Sequence, residues 1–150
     1  MRIRNLARMA ALACMLAGMA AAQTTPPAAS LPKGAKSPDE AAAIGYMNTL
    51  IRAENLYKKK HNNYAKSLKD LVASGSFTRR MTKTDRGVYI VGYSSNGDTY
   101  SISLTPKSFD EQHRAFYADE DGIIRVDPEH PANAQSPPLY PGRRTTAAKK

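Results

Sequence analysis

The chain has 150 residues, with 22 Lys and Arg against 13 Asp and Glu for a formal net charge of +9, one Cys and no Trp. That length holds one domain of ordinary size and leaves little chain for a second, and a hydrophobic share of 41% excludes a wholly disordered polymer. A single Cys excludes a disulfide framework and a Cys-cluster zinc site, while the charge at face value points to nucleic acid or an anionic membrane as partner.

The first segment reads as an export signal. Arg2, Arg4 and Arg8 precede Met9 to Ala22, which carries no charge, and Ala20-Ala21-Ala22 before Gln23 is a small-residue exit. Positive start, short apolar run and small-residue cleavage site are the parts of a secretory signal peptide, and the run falls short of the roughly 20 residues a membrane span needs. The expectation is cleavage after Ala22 and a periplasmic or secreted mature protein. Cys14 behind Ala11-Leu12-Ala13 is a loose match to a lipoprotein site, but the apolar run continues past it. A prepilin-type cut after Gly18 would need the apolar helix on the other side of the cut.

Residues 23–36, rich in Pro, Ala and Thr, read as a flexible linker. Residues 37–139 hold the periodic patterns, and residues 140–150, with Arg143, Arg144, Lys149 and Lys150 and no apolar face, read as a disordered basic tail. Signal, linker and tail together contain Arg2, Arg4, Arg8, Lys33, Lys36 and the four tail cations, and no acid; residues 37–139 therefore balance 13 cations against 13 acids. The +9 belongs to the ends, and local clusters such as Lys58-Lys59-Lys60 or Arg79-Arg80 with Lys83 and Arg86 lie in a neutral domain.

Ser37-Pro38-Asp39-Glu40 predicts a helix start, with Ser37 capping, Pro38 at the first helical position and Glu40 completing a capping box. Ala43, Met47, Leu50 and Tyr57, widened by Ile44 and Ile51, recur at helical spacing to about Lys60. The three lysines then suit the negative end of the helix dipole on a solvated face. Ser67 to Val72 predicts a short second helix ended by Gly75, and Phe77 to Arg86 a polar, cationic loop around Met81. Val88 to Ser94 and Thr99 to Thr105, joined through Asn96-Gly97, predict a hairpin with a two-residue type I′ turn. That turn pairs Tyr93 with Tyr100, Val91 with Ile102 and Tyr89 with Leu104, and puts all six on the face toward the helix. His113 to Ala118 and Ile123 to Val126 predict a second hairpin through Asp119-Glu120-Asp121-Gly122, pairing Phe116 with Val126 and Ala118 with Ile124, with Gly122 left-handed. The fold class is α+β: one long N-terminal helix packed on a four-stranded antiparallel sheet.

The chemistry-bearing motifs are sparse. Asp119-Glu120-Asp121-Gly122 could offer carboxylates to calcium but lacks the alternating ligands and distal Glu of an EF-hand loop, and acids with Gly also suit a plain turn. His61, His113 and His130 have no ligand-type spacing. No Gly-x-Ser-x-Gly elbow, Gly-x-x-x-x-Gly-Lys loop or Gly-x-Gly-x-x-Gly occurs. Tyr89, Tyr93 and Tyr100 could stack nucleic-acid bases, but the predicted register turns them toward the helix. The expectation is a non-enzymatic protein with no catalytic, cofactor-binding or metal-ligating residue.

The collinear set Ala42-Ala43-Ile44-Gly45 through Tyr57, Asn63-Tyr64-Ala65 with Ser67-Leu68-Lys69-Asp70-Leu71, Tyr93 to Ser103, Arg114 to Arg125 and Ala134 to Leu139 resembles the head domain of type IV pilins and of the major pseudopilins of type II secretion. The resemblance implies action through protein contacts, with a pilus or secretion component as partner and a sheet edge or the Phe77 to Arg86 loop as the contact surface. Such proteins keep a hydrophobic N-terminal helical half with a Glu near its start; here a cleavable signal and a proline-rich linker stand in its place. A second expectation is binding of nucleic acid or an anionic surface polymer through Arg143, Arg144, Lys149 and Lys150.

Overall fold

The computed structural model describes residues 31–141. The segment expected to be a signal peptide, Cys14 and residues 142–150 of the expected basic tail lie outside them. One helix, α1 (Pro38–His61), packs across a five-stranded antiparallel sheet of strands β1 (Asp85–Arg86), β2 (Tyr89–Ser95), β3 (Tyr100–Pro106), β4 (Ala115–Asp119) and β5 (Arg125–Asp127), ordered in space as in sequence. Two 3-10 helices, Asp70–Ser74 and Arg79–Thr82, fill the connection between α1 and β1. Among the described residues no helix is long and apolar enough to cross a membrane.

The helix begins where its sequence dictates. Ser37 Oγ accepts the Glu40 N–H at 3.1 Å, Pro38 opens the first turn, and Asn62 closes the last one in the left-handed region at φ 58. The buried stripe reads Glu40, Ala43, Met47, Leu50, Glu54, so two carboxylates occupy the ends of an apolar seam. Ala43, Met47 and Leu50 share one core with Tyr89, Val91, Ile102, Leu104, Phe116 and Ala118 from the facing sheet, as the alternation requires.

Glu40 corrects the capping-box expectation. Its side chain reaches back to the Lys36 N–H at 2.7 Å rather than to Ser37, and otherwise belongs to Arg114 at the start of β4. The guanidinium donates from Nε to Oε1 at 2.8 Å and from Nη2 to Oε2 at 2.7 Å, and the Arg114 N–H adds a bond to Oε1 at 3.0 Å. Arg114 Nη2 also donates to the Gly34 carbonyl at 2.6 Å. Glu40 is fully buried. Burial alone would raise its pKa, but the Arg114 and backbone hydrogen bonds outweigh that and hold the carboxyl below its ordinary value.

Glu54 is the opposite case. It is equally buried and has no cationic partner; Ala65 N–H donates to Oε2 at 3.1 Å, and Tyr93 Oη lies against Oε1. Tyr93 Oη is also 2.6 Å from the Ala65 carbonyl. One phenolic proton cannot serve two acceptors. The Tyr93 hydroxyl sits between the Glu54 carboxyl and the Ala65 carbonyl, within hydrogen-bond reach of both. Burial drives the carboxyl pKa up, against the hydrogen bonds from Tyr93 and Ala65 and with the help of Asp70. One seam therefore carries a carboxyl held below its ordinary pKa at its head and one pushed above it near its foot.

Three expectations about the sheet change. The connection at Asn96 is four residues long, because Asn96 Oδ1 caps the Asp98 and Thr99 N–H groups at 2.9 and 2.8 Å and Gly97 O accepts the Tyr64 N–H at 2.7 Å. Tyr93 consequently pairs with Ile102, Val91 with Leu104 and Tyr89 with Pro106. The register slides by two residues, which preserves the face of every side chain, so Tyr89 and Tyr100 are buried toward the helix and Tyr93 bonds Glu54. The second hairpin keeps the expected Phe116–Val126 pair and a left-handed Gly122. The sheet has five strands rather than four, because Asp85–Arg86 pairs with Ile90 and Tyr89. Gly87, at φ 68, takes the first central position of the two-residue turn, where an L side chain would be strained.

The segment 67–72 forms no α-helix: Ser67 to Lys69 turn and residues 70–72 enter the 3-10 helix Asp70–Ser74, which Gly75 ends at φ 81. Within the stretch expected as linker, Ala35 packs on the core, and a Cβ at Gly34 would meet the Tyr140 ring at 3.0 Å. Tyr140 Oη donates to the Lys33 carbonyl at 3.0 Å, so the folded unit extends beyond residues 37–139 at both ends.

Arg114→Ala should cost about 3–5 kcal/mol of folding stability by leaving the Glu40 charge buried and unpaired. Urea unfolding checks this; a loss under about 1 kcal/mol would show that the pair is not holding these segments together. Glu54 gives a pH signature. Its folded pKa lies above its ordinary value of 4.5, so its contribution is complete below that pH and is lost as pH rises through the folded value. Compared with Glu54→Gln, the wild type should lose stability over that rise. Parallel curves for the two proteins would contradict a raised Glu54 pKa.

Candidate protein-contact surface

The loop expected over Phe77 to Arg86 and the sheet edge are the same place. Phe77 is buried, with its ring 6.1 Å from that of Tyr46 on α1. Tyr46 Oη donates to the Met81 carbonyl at 2.8 Å, and the Arg86 guanidinium lies 4.1 Å over the Tyr46 ring. These contacts fix the backbone, and the chain then runs out through exposed Lys83, Thr84 and Asp85 as the outermost strand. The Val91 N–H donates to Thr84 O at 2.8 Å, so in the alternating antiparallel pattern Asp85, opposite Ile90, turns its own N–H and C=O to the open side.

The opposite edge is closed. Val126 N–H donates to the Pro137 carbonyl at 2.9 Å and Leu139 N–H to the Ile124 carbonyl at 2.8 Å, which lays Pro137 to Leu139 along β5. A proline-bearing cover offers no donor for a further strand. Among the described residues the sheet thus has one open edge, and the cationic loop is part of it.

Two hollows flank the 3-10 helix Arg79–Thr82. One, of about 600 Å³, is lined by Lys69, Val72, Ala73, Arg79 and Thr82. The other, of about 270 Å³, lies between α1 and the edge, with Ala42, Ala43, Val88, Tyr89 and Leu104 as apolar wall and Arg80, Lys83 and Arg86 around it. Its two acids are engaged elsewhere: Asp85 meets Lys107 Nζ at 3.0 Å, and Asp39 lies 3.6 Å from His113 Nε2. Arg79, Arg80 and Lys83 are exposed and form no ion pair with any described residue.

The neutral total hides a division. Between residues 52 and 83 the acids are Glu54, which is buried, and Asp70, against Arg52, Lys58–Lys60, Lys66, Lys69, Arg79, Arg80 and Lys83. The acids concentrate after residue 84. A balanced composition therefore did not reveal a positive surface, whereas the order of charges along the chain carried that signal.

The remaining candidates are explained locally. Lys58 Nζ lies 4.0 Å over the Tyr64 ring, and Lys59 and Lys60 are exposed at the helix end. In the acidic turn, Asp121 accepts from Arg125 Nη2 at 2.8 Å and from the Ile123 N–H at 2.7 Å, and Asp119 accepts the Asp121 N–H at 3.1 Å. Among the described residues no group of three metal-ligating side chains converges. His61 stacks on Tyr57, His130 lies 3.7 Å from Asp127, and His113 Nδ1 bonds Asp110 at 2.8 Å, which raises its pKa despite partial desolvation. The three histidines remain apart.

If these cations serve binding and not folding, Arg80→Glu with Lys83→Glu should change unfolding free energy by less than about 0.5 kcal/mol. Tyr46→Phe, which orphans the Met81 carbonyl, should cost about 1 kcal/mol. Urea melts decide; unfolding on charge reversal would make the cations structural. No protein family, curated protein or solved structure matches this chain.

Proposed function

We propose that this is an exported, non-enzymatic protein whose pilin-head-like domain acts through protein contacts, at a pilus or a type II secretion apparatus. Support for the likeness comes from the sequence of elements: one long capped helix, an irregular connection, then an antiparallel meander across the helix. The observation that carries a contact role is the coincidence of the open sheet edge with the unpaired cations of the Arg79 to Arg86 segment, while the other edge is sealed by the chain's own Pro137 to Leu139. Loops and free edges are where rigid domains place recognition. Because a cleavable signal and a proline-rich stretch are read ahead of Ser37 in the sequence, in place of an apolar helical half, the domain would dock on such an assembly from its surface.

A photo-crosslinking residue at Lys83, used in the exporting cells, should capture a pilus or secretion component that the same residue at Glu129 does not. Capture of neither class of component from Lys83, with equal products from both positions, would overturn the reading.

A further inference from the structure

We infer that the β1 edge takes an acidic, extended peptide segment of the partner as an added strand; this rests on the contact role proposed above and names its chemistry. Three features select such an occupant. The outward N–H and C=O of Asp85 are unused by β2, and the backbone is already extended at Lys83, with φ −68 and ψ 130, so the edge offers main-chain hydrogen bonds to another strand. Beside that edge, on the helix side, the hollow of about 270 Å³ is ringed by Arg80, Lys83 and Arg86. Of the two acids lining that hollow, Asp85, opposite Ile90, carries its side chain on the other face and pairs with Lys107 at 3.0 Å, and Asp39 lies 3.6 Å from His113 Nε2, while Arg80 and Lys83 form no ion pair with any described residue. On the other side of the sheet Ile90, 43% exposed, stands directly opposite Asp85 and offers an apolar contact one strand in.

An added strand alternates its side chains between these two sides. Those toward the helix meet the cations and an apolar wall; those away from it meet Asp85 and Ile90. The matching segment therefore carries carboxylates at alternate positions, with β-branched residues between. Its ends need no terminal carboxylate, because main-chain bonding supplies the register. The chain's own tail cannot fill the site, since Arg143, Arg144, Lys149 and Lys150 would face like charge. The shortness of β1, only two residues, limits indiscriminate edge pairing, so the charges have to supply selectivity.

The test uses the full mature chain and a capped peptide of alternating Val and Glu, read by fluorescence anisotropy and by NMR exchange of the Asp85 amide. Binding should protect that amide, weaken with salt, and fall about tenfold or more in Arg80→Glu/Lys83→Glu. A peptide of alternating Val and Lys should not bind. Lys83→Gln, which removes one positive charge without adding a negative one, should fall between the wild type and the charge-reversed variant. No binding by the wild type, equal binding by the charge-reversed variant, or equal competition by inorganic polyphosphate without amide protection would each overturn the inference. The last would mean an anion site with no strand recognition. If the acidic peptide fails while a crosslinker at Lys83 still captures an apparatus component, the contact role stands and its partner is not an acidic strand; if both fail, both readings fall.

Discussion

The buried ion pair between Glu40 and Arg114 is the constraint on which the rest of the architecture hangs. A carboxylate with no exposure tolerates its charge only if every lone pair is met, and the Lys36 N–H, the Arg114 N–H and the Arg114 guanidinium meet them. That demand fixes three things together: the segment before the helix, the first turn of α1 and the entry to β4. Because the same guanidinium holds the Gly34 carbonyl, and Leu139 and Tyr140 close over Gly34, both ends of the folded unit converge on this pair. Ser37 Oγ adds a bond to the Gln112 carbonyl at 2.9 Å, tying the same junction again.

With that end of the molecule locked, the two edges of the sheet have different fates. The C-terminal strap that leaves the β5 side reaches the clamp at Gly34, so closure of that edge is part of the same construction. The β1 side is held by its short pairing with β2 and the Lys107–Asp85 ion pair, by contacts of Tyr46 with Phe77 and Arg86, and through the Met81 carbonyl. These contacts position the backbone but leave its outer groups and the neighbouring cations free. Arg86 has a structural partner in the Tyr46 ring, whereas Arg80 and Lys83 beside the edge form no ion pair with any described residue.

Much of this was legible in the sequence where signals are local. Ser37-Pro38-Asp39-Glu40 announced the helix start, and period-two alternation assigned the inner faces of both hairpins. The face assignment survived a two-residue error in register because faces have parity and turns do not. The error itself came from Asn96, whose side chain can cap a wider loop as readily as its backbone can enter a type I′ turn. What was not legible depended on tertiary partners. Glu40 read as a helix-capping acid, since nothing local shows that Arg114 will lie against it. Glu54 and Arg86-Gly87-Val88-Tyr89 did carry signals: the former continues the spacing of Met47 and Leu50, and the latter is a Gly-first two-residue turn. The contact surface was named as two alternatives, an edge or a loop, because the fifth strand that unites them is only two residues long.

That the described residues present one open edge beside unpaired cations and seal the other is tested most directly by site-resolved amide exchange on the free protein. The Asp85 amide should exchange at close to the rate of an unbonded exposed amide, while Val126 and Leu139, bonded across the β5 edge, should exchange far more slowly. An Asp85 amide protected as strongly as Val126, or a Leu139 amide that exchanges freely, would contradict the account.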